Sequence, residues 1–433
     1  MKGFRVVTLC LALLLKAAHA AWAASDETVT LRWFMRWDQV RVEKVAIPVI
    51  EAFERLHPNI KIELENNGGS GSDYWAKLQT MVIGGAAPDI VYPATHNGFA
   101  LAVQGELMDL TPFVARDGID MDQYLYDIDE LYTHNGQLWA LPIDWARVGV
   151  FYNEDKFAQV GLGTPPDDWT WDEFMDYARR LTYDVNGDGN YDSFAIRDFT
   201  SYWPLMAWSF SGHGLYDDIR RPTKTLINSP GVIEGLDFLA DMINQSNVIP
   251  TSRNLSDWQN VFPNGVAAME IIGHWRIPTF AETLEFSWNI AALPRAATSV
   301  NRVDGSGFAI SAHTKHPDEA WEFVKFLAAP GAYGTQLLLE LQQFTPVVRE
   351  LIETDAFMNP PGLEGINKMA LLAGETLYSM YEPIGPMYDA LDALVKTELD
   401  LVWAGEQSAA QAVQKLEPAL NARLAELGER YRY

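Results

Sequence analysis

Three short segments set a flat indole beside a charged side chain: Trp37-Asp38, Asp144-Trp145-Ala146-Arg147 and Trp275-Arg276. An indole covers an apolar C–H face at low entropic cost. Carboxylates and guanidinium groups satisfy a rim of hydroxyls, so the pairing suits a neutral polyol. Trp203, Trp208 and Trp258 stand outside the clearest periodic runs or at their ends and join the candidates. The competing role for any one of them is packing within a core, because large aromatics are highly buried on average. Gly68-Gly69-Ser70-Gly71-Ser72-Asp73-Tyr74 precedes a helical run, which Ser72 or Asp73 would cap, with Tyr74 as a candidate contact. It lacks the Gly-Lys-Ser/Thr ending of a phosphate-binding loop. Thr95 and Asn97 follow the carboxyl end of a predicted strand, where open α/β sheets bind ligands.

Asp184, Asn186, Asp188 and Asp192 fall at positions 1, 3, 5 and 9 of a calcium-type loop, with Gly187 and Gly189 among them and Asn190 as a further oxygen donor. Position 12 is Ala195, so the usual bidentate glutamate is missing from its place. Two readings stand: a structural Ca2+ site completed from elsewhere, or a metal-free polar turn. No organic cofactor is expected. The main rival to a binding role is a secreted carbohydrate-active enzyme such as a glycosidase, which needs two carboxylates across a glycosidic bond. With 58 acidic residues some pair can always be nominated. No Gly-x-Ser-x-Gly elbow and no His-Glu-x-x-His pair occurs, and the histidines are scattered.

These candidates must be held by a chain of 433 residues, longer than a single core usually supports, so two domains are expected. Lys2 and Arg5 followed by the apolar run Val6 to Leu15 and small residues read as a secretory leader cleaved near Ala23 or Ala24. Cys10, the single cysteine, lies inside that run, too early for lipid attachment, so no thiol chemistry survives cleavage. The net charge of −26 argues against nucleic acid and against an anionic membrane surface. From Val29 the pattern runs strand, helix, strand, helix, strand, ending at Pro88-Asp89-Ile90-Val91-Tyr92, the order of a mostly parallel sheet covered by helices. Further on, Thr170-x-x-Glu173 predicts a capping box for a helix over 171–181, and helical patterning dominates from Met387 to Leu427.

Ordered motifs then span the chain: Phe53-Glu54-Arg55-Leu56-His57-Pro58, Ala87-Pro88-Asp89-Ile90-Val91, Gly136-Gln137-Leu138-Trp139-Ala140-Leu141-Pro142, Gly265-Val266-Ala267-Ala268-Met269, Gly273-His274-Trp275 and Gly305-Ser306-Gly307-Phe308-Ala309-Ile310. In this order they resemble the extracellular solute-binding proteins of bacterial ABC sugar importers, the maltose-binding-like group. The resemblance implies an α/β, two-lobed periplasmic binding protein fold of type II-like form, with hinge crossings and a helical C-terminal region. It implies a leader over 1–24, a first lobe of 25–143 plus 304–342 and a second of 144–303 plus 343–433. Gly305 and Gly307 suit the hinge, and Trp275 occupies a place where the family sets a sugar-stacking ring after a glycine. A periplasmic monomer is implied that captures a carbohydrate, a disaccharide or glycoside by preference, and hands it to membrane permease subunits. Arg147 and Arg276 leave an anionic sugar open.

Overall fold

The computed structural model describes residues 28–68, 71–125, 131–188, 191–251, 260–302, 304–374, 376–378, 382–385 and 387–431. Trp258, Asn190 and the leader with its cleavage site lie outside them.

The first sheet grows from β1 (Val29–Met35), β2 (Ile60–Asn66) and β3 (Ile90–Val91). Leu31, Trp33, Phe34 and Met35 are all fully buried, so β1 presents apolar side chains to both faces, as a strand covered by helices must. It pairs in parallel with β2, from Val29 opposite Ile60 to Met35 opposite Asn66, and in parallel with β3. The connections are helical: α1 (Ile47–Leu56) buries Val49, Ala52 and Phe53 at helical spacing, and α2 (Gly71–Ile83) follows β2. After β3 comes α3 (Thr95–Gln104).

The chain then passes through β4 (Leu141–Trp145) into β5 (Val148–Asn153), which starts a second sheet. Its elements are α4 (Trp171–Leu181), β6 (Phe194–Ile196), α5 (Trp203–Ser211), α6 (Pro230–Asn244), β7 (Ala267–Gly273), α7 (Ile277–Thr283) and β8 (Trp288–Ala291), with strand order β8-β5-β7-β6. Thr170 caps α4 by the expected box: its hydroxyl accepts from the Glu173 amide at 3.2 Å, and the Glu173 carboxylate accepts from the Thr170 amide at 2.7 Å. Such a cap contributes about 1 kcal/mol.

A short strand β9 (Val300–Arg302) leads back across to β10 (Gly305–Ile310), which inserts antiparallel between β3 and β4, giving the first sheet the order β2-β1-β3-β10-β4. Helices α8 (Pro317–Ala328) and α9 (Tyr333–Glu340) cover that sheet. The strand β11 (Thr376–Tyr378) pairs with β9, and α10 (Tyr388–Trp403) and α11 (Ala409–Tyr431) close the second lobe. No described helix is long and apolar enough to cross a membrane.

Two α/β lobes result, each with its own apolar core. The first core joins β1 to β4 with Phe308 to Ile310 and α8, and extends to Phe344, Val347, Val348 and Ile384. The second lobe's core centres on Val148, Tyr152, Trp169, Trp171, Met269 and Ile271, flanked by clusters under α11 and around Phe151 and Phe280. The crossings run side by side: the Ala146 amide donates to the Asp304 carbonyl at 2.9 Å and the Trp145 amide to the Thr345 carbonyl at 3.1 Å. A Cβ on Gly305 would lie 1.9 Å from the Asp144 carbonyl oxygen, so only glycine lets β10 and β4 approach this closely.

Candidate functional site

Between the lobes, the segment after β1 meets the segment after β7 and α7, and the start of α3 meets the start of α10. Asp38 caps the short helix Gln39–Arg41 by accepting from the Arg41 amide at 3.0 Å, and accepts again from Arg41 Nε at 3.0 Å. From the other lobe it accepts the Thr279 hydroxyl at 3.1 Å, and Arg276 Nη1 stands 4.0 Å away. Burial works against its charge, but Arg41 and these hydrogen bonds prevail and hold the carboxyl below its ordinary range. A second ion pair, Lys44 to Glu282 at 3.4 Å, bridges the rim.

Deeper between the lobes the ionisable groups are nearly dry. Asp144 and Asp304 are buried, as is Arg302, whose Nε lies 3.5 Å from Asp304 Oδ2. Burial pushes the Asp144 carboxyl up to about 7, against the pull of Arg302, Arg36 and Arg41. Glu382 is buried beside Trp208, accepts from the Leu215 amide at 2.7 Å, and is pushed up to about 8 by burial despite that bond, Asp304 adding to the rise. His96 and Tyr388 meet edge-on across the cleft at 5.1 Å, and burial, then Arg36 and Arg302, keep His96 neutral. Trp275 lies over Gly273: a Cβ there would fall 1.9 Å from the ring atom Cζ3, and the Arg302 guanidinium stands 5.9 Å from the ring centroid. Trp208 and Trp275 are both partly exposed.

Other sequence candidates take up packing or hinge positions. Trp37 is 1% exposed and meets Trp33 at 5.8 Å and Phe344 at 6.2 Å, so its ring presents no free face in this conformation. Tyr74 is equally buried, stacked on Phe34 at 4.6 Å, with its hydroxyl accepting from the Tyr92 amide at 3.0 Å. Thr95 binds Gly305 twice, donating to its carbonyl at 2.9 Å and accepting from its amide at 3.1 Å, and Asn97 is buried on the same helix. Trp145 is buried under the Arg147 guanidinium at 4.1 Å. Arg147 itself is 2% exposed and donates to the Leu372 carbonyl at 2.7 Å, so it clasps the hinge to the segment behind it. A Cβ at Gly307 would meet Tyr132 at 2.8 Å and the Leu141 carbonyl at 2.9 Å, so that glycine serves close packing. Trp203 sits between two of the second lobe's clusters. It also lines a cavity with Tyr216, Glu382, Tyr388 and Asp392.

In the acidic loop, Asp184 accepts from the Gly187 amide at 2.7 Å, Asn186 from the Asp188 amide at 2.9 Å, and Asp192 from the Val185 amide at 2.6 Å. Asn186 also donates to Asp188 at 3.1 Å. Among the described residues no group of three or more His, Cys, Asp and Glu side chains is placed to hold a metal ion.

The sequence reading passed over Arg36, Tyr92, Asp304, Ser306, Glu382 and Tyr388. Arg36 had a signal: it is the other charged neighbour of Trp37, at the carboxyl end of β1, where ligands bind in such sheets. Tyr92 and Ser306 lie in segments read only for strand and motif, and Asp304, Glu382 and Tyr388 come from hinge and tail segments without a local pattern.

The family described as bacterial extracellular solute-binding protein matches residues 41–334. The arabinooligosaccharide-binding protein of Bacillus subtilis is 23% identical over 410 residues, 89% of each chain. An ABC substrate-binding protein of Listeria monocytogenes, solved in complex with cycloalternan, superposes with a TM-score of 0.80 at 20% identity, covering 92% of this chain and 100% of the other. An ABC transporter solute-binding protein from Thermotoga lettingae, bound with alpha-D-tagatose, gives 0.75 at 20% identity over 92% and 100%. These structural likenesses show the two-lobed fold.

Proposed function

Since the chain belongs to the bacterial extracellular solute-binding proteins, we propose that it captures a carbohydrate, a disaccharide or glycoside by preference, between its lobes and delivers it as a monomer to the permease of an ABC importer. The observation that carries this reading is the seam itself. Two separately cored lobes meet through polar contacts, Asp38 to Thr279 and Arg276, with partly exposed Trp275 next to Arg276 in the chain. A ligand touching both walls favours the closed state by its differential affinity for it. The ligands named for the relatives, an arabinooligosaccharide, cycloalternan and tagatose, support a sugar. The role is non-catalytic. The test is a thermal-shift screen of the mature protein against mono-, di- and oligosaccharides. A rise in Tm with one sugar class and no product on long incubation is expected; turnover of a glycoside, or no shift with any sugar, refutes the reading.

For the loop from Asp184 to Asp192 we propose a structural Ca2+, taken by Asp184, Asn186, Asp188, Asn190 and Asp192. The support is the alternation of oxygen side chains in the sequence. Opposing it, Asp184, Asn186 and Asp192 already serve the loop's own amides.

A further inference from the structure

The arginines along the cleft differ in their counter-charges. Arg41 meets Asp38 at 3.0 Å, Arg302 meets Asp304 at 3.5 Å, Arg197 meets Glu270 at 3.2 Å, and Arg276 stands 4.0 Å from Asp38. Arg36 has no carboxylate within that range among the described residues. It is nonetheless held in place. Its Nη2 donates to the Ser306 hydroxyl at 3.2 Å, and its guanidinium stands 5.3 Å from the Tyr92 ring centroid and 5.8 Å from that of Tyr74. Gly71, at the start of α2, borders it: a Cβ there would come 3.6 Å from Nη1. Arg36 therefore follows directly on β1, its hydroxyl partner lies on β10 across the sheet, and its aromatic neighbours come from just after β3 and from α2.

A half-buried guanidinium with no carboxylate in direct contact among the described residues is an unusual choice in a chain of net charge −26, where acidic side chains are abundant and the neighbouring arginines have taken them. Ser306 supplies an acceptor but no charge. Asp144 acts on Arg36 through space, but burial raises it to about 7, so near neutral pH it neutralises the guanidinium only in part. Planar guanidinium donors pair best with carboxylate or phosphate oxygens, and stacking on aromatic rings fixes their plane without using the donors.

We propose that Arg36 is the specificity-determining residue of this cleft, and that the solute it selects is a glycoside bearing an anionic group, a carboxylate or a phosphate, seated on the Arg36 guanidinium. This rests on the capture reading above and narrows its substrate class. It also moves the anionic contact from Arg147 and Arg276, which are occupied at the hinge and the rim, to the end of β1.

The test is calorimetric titration of the mature protein at low and high salt with matched probes: methyl glucoside against methyl glucuronide, and glucose against glucose 6-phosphate, each also as its disaccharide counterpart. We expect at least one anionic member to bind about tenfold or more tightly than its neutral partner, the size of one charge-assisted contact. Arg36→Gln should abolish that preference, so that the anionic member binds no more tightly than its neutral partner. Arg36→Lys should retain part of it. The carboxylate and phosphate arms separate the two sources of charge. Neutral sugars that bind as well as their anionic partners, or a preference that survives Arg36→Gln, overturn the proposal and leave sugar capture standing. If no probe binds, sugar capture falls and the proposal with it. Should Arg36→Gln fail to fold, the wild-type preference and the Arg36→Lys titration decide.

Discussion

Replacing Asp144 by asparagine is expected to leave stability unchanged in acid and to raise it at neutral and alkaline pH. Asp144 is 5% exposed at the hinge end of β4, and burial raises its carboxyl from 3.8 to about 7 after the opposing pull of Arg302, Arg36 and Arg41. The folded protein thus holds a proton that the unfolded chain releases. That contribution is fully present below about pH 4 and is lost as pH rises through about 7. A shift of about three units corresponds to about 4 kcal/mol. Asparagine has the same shape, can still accept a backbone hydrogen bond, and carries no charge at any pH. At roughly 2.1 cal/mol/K per residue, a chain of about 400 residues unfolds with an entropy of about 0.8 kcal/mol/K, so the gap amounts to a Tm difference of about 5 °C. The assay is calorimetric melting of both proteins from pH 4 to pH 9. The curves should coincide at pH 4, diverge between pH 5 and pH 7, and run parallel above pH 8. Parallel curves throughout, or a variant that melts lower at pH 8, would show that the arginines hold Asp144 ionised and would refute the reasoning.

Asp117 carries the opposite sign: burial opposes its charge, but hydrogen bonds from Arg116, Lys325 and Trp321 hold it well below the usual carboxylate range. Asp117→Asn should cost about 1–2 kcal/mol at pH 7, and the deficit should shrink as acid protonates the wild type, which melting below pH 4 will check. Gly273→Ala places a methyl where the Trp275 ring lies, at 1.9 Å, so the ring must move by about 2 Å to reach ordinary contact. It should weaken ligand binding about tenfold and couple non-additively with Trp275→Ala in a double-mutant cycle by titration. Removing calcium with EDTA should lower the Tm, with recovery on adding Ca2+ and no response in Asp184→Asn; an unchanged melt makes the loop a self-bonded turn.

Much of the fold was legible because its determinants are local. The strand-helix-strand order up to β3, the Thr170–Glu173 cap and the helices of the tail follow from side-chain period and from contacts a few residues apart. The two-lobed plan was readable through ordered motifs that resemble a family. The cleft was legible only in part. Asp38 and Arg276 were named from residue type, and the structure brings them within 4.0 Å of each other across the lobes. Trp37 and Tyr74 were named on the same grounds and lie in the core.

The sequence by itself determined the acidic charge, the place of the single cysteine at position 10 and the alternation of elements, since each depends on residue identity or on near neighbours in the chain. Only the tertiary structure decided which side chain after β1 stays partly exposed and which is buried. A strand buried on both faces has apolar residues in both phases, so period two could not separate Arg36 from Trp37. Arg36 finds its hydroxyl partner 270 residues away, at Ser306, because the hinge returns the chain to the first sheet as β10. Pairing over that distance is set by sheet topology, which no local window contains.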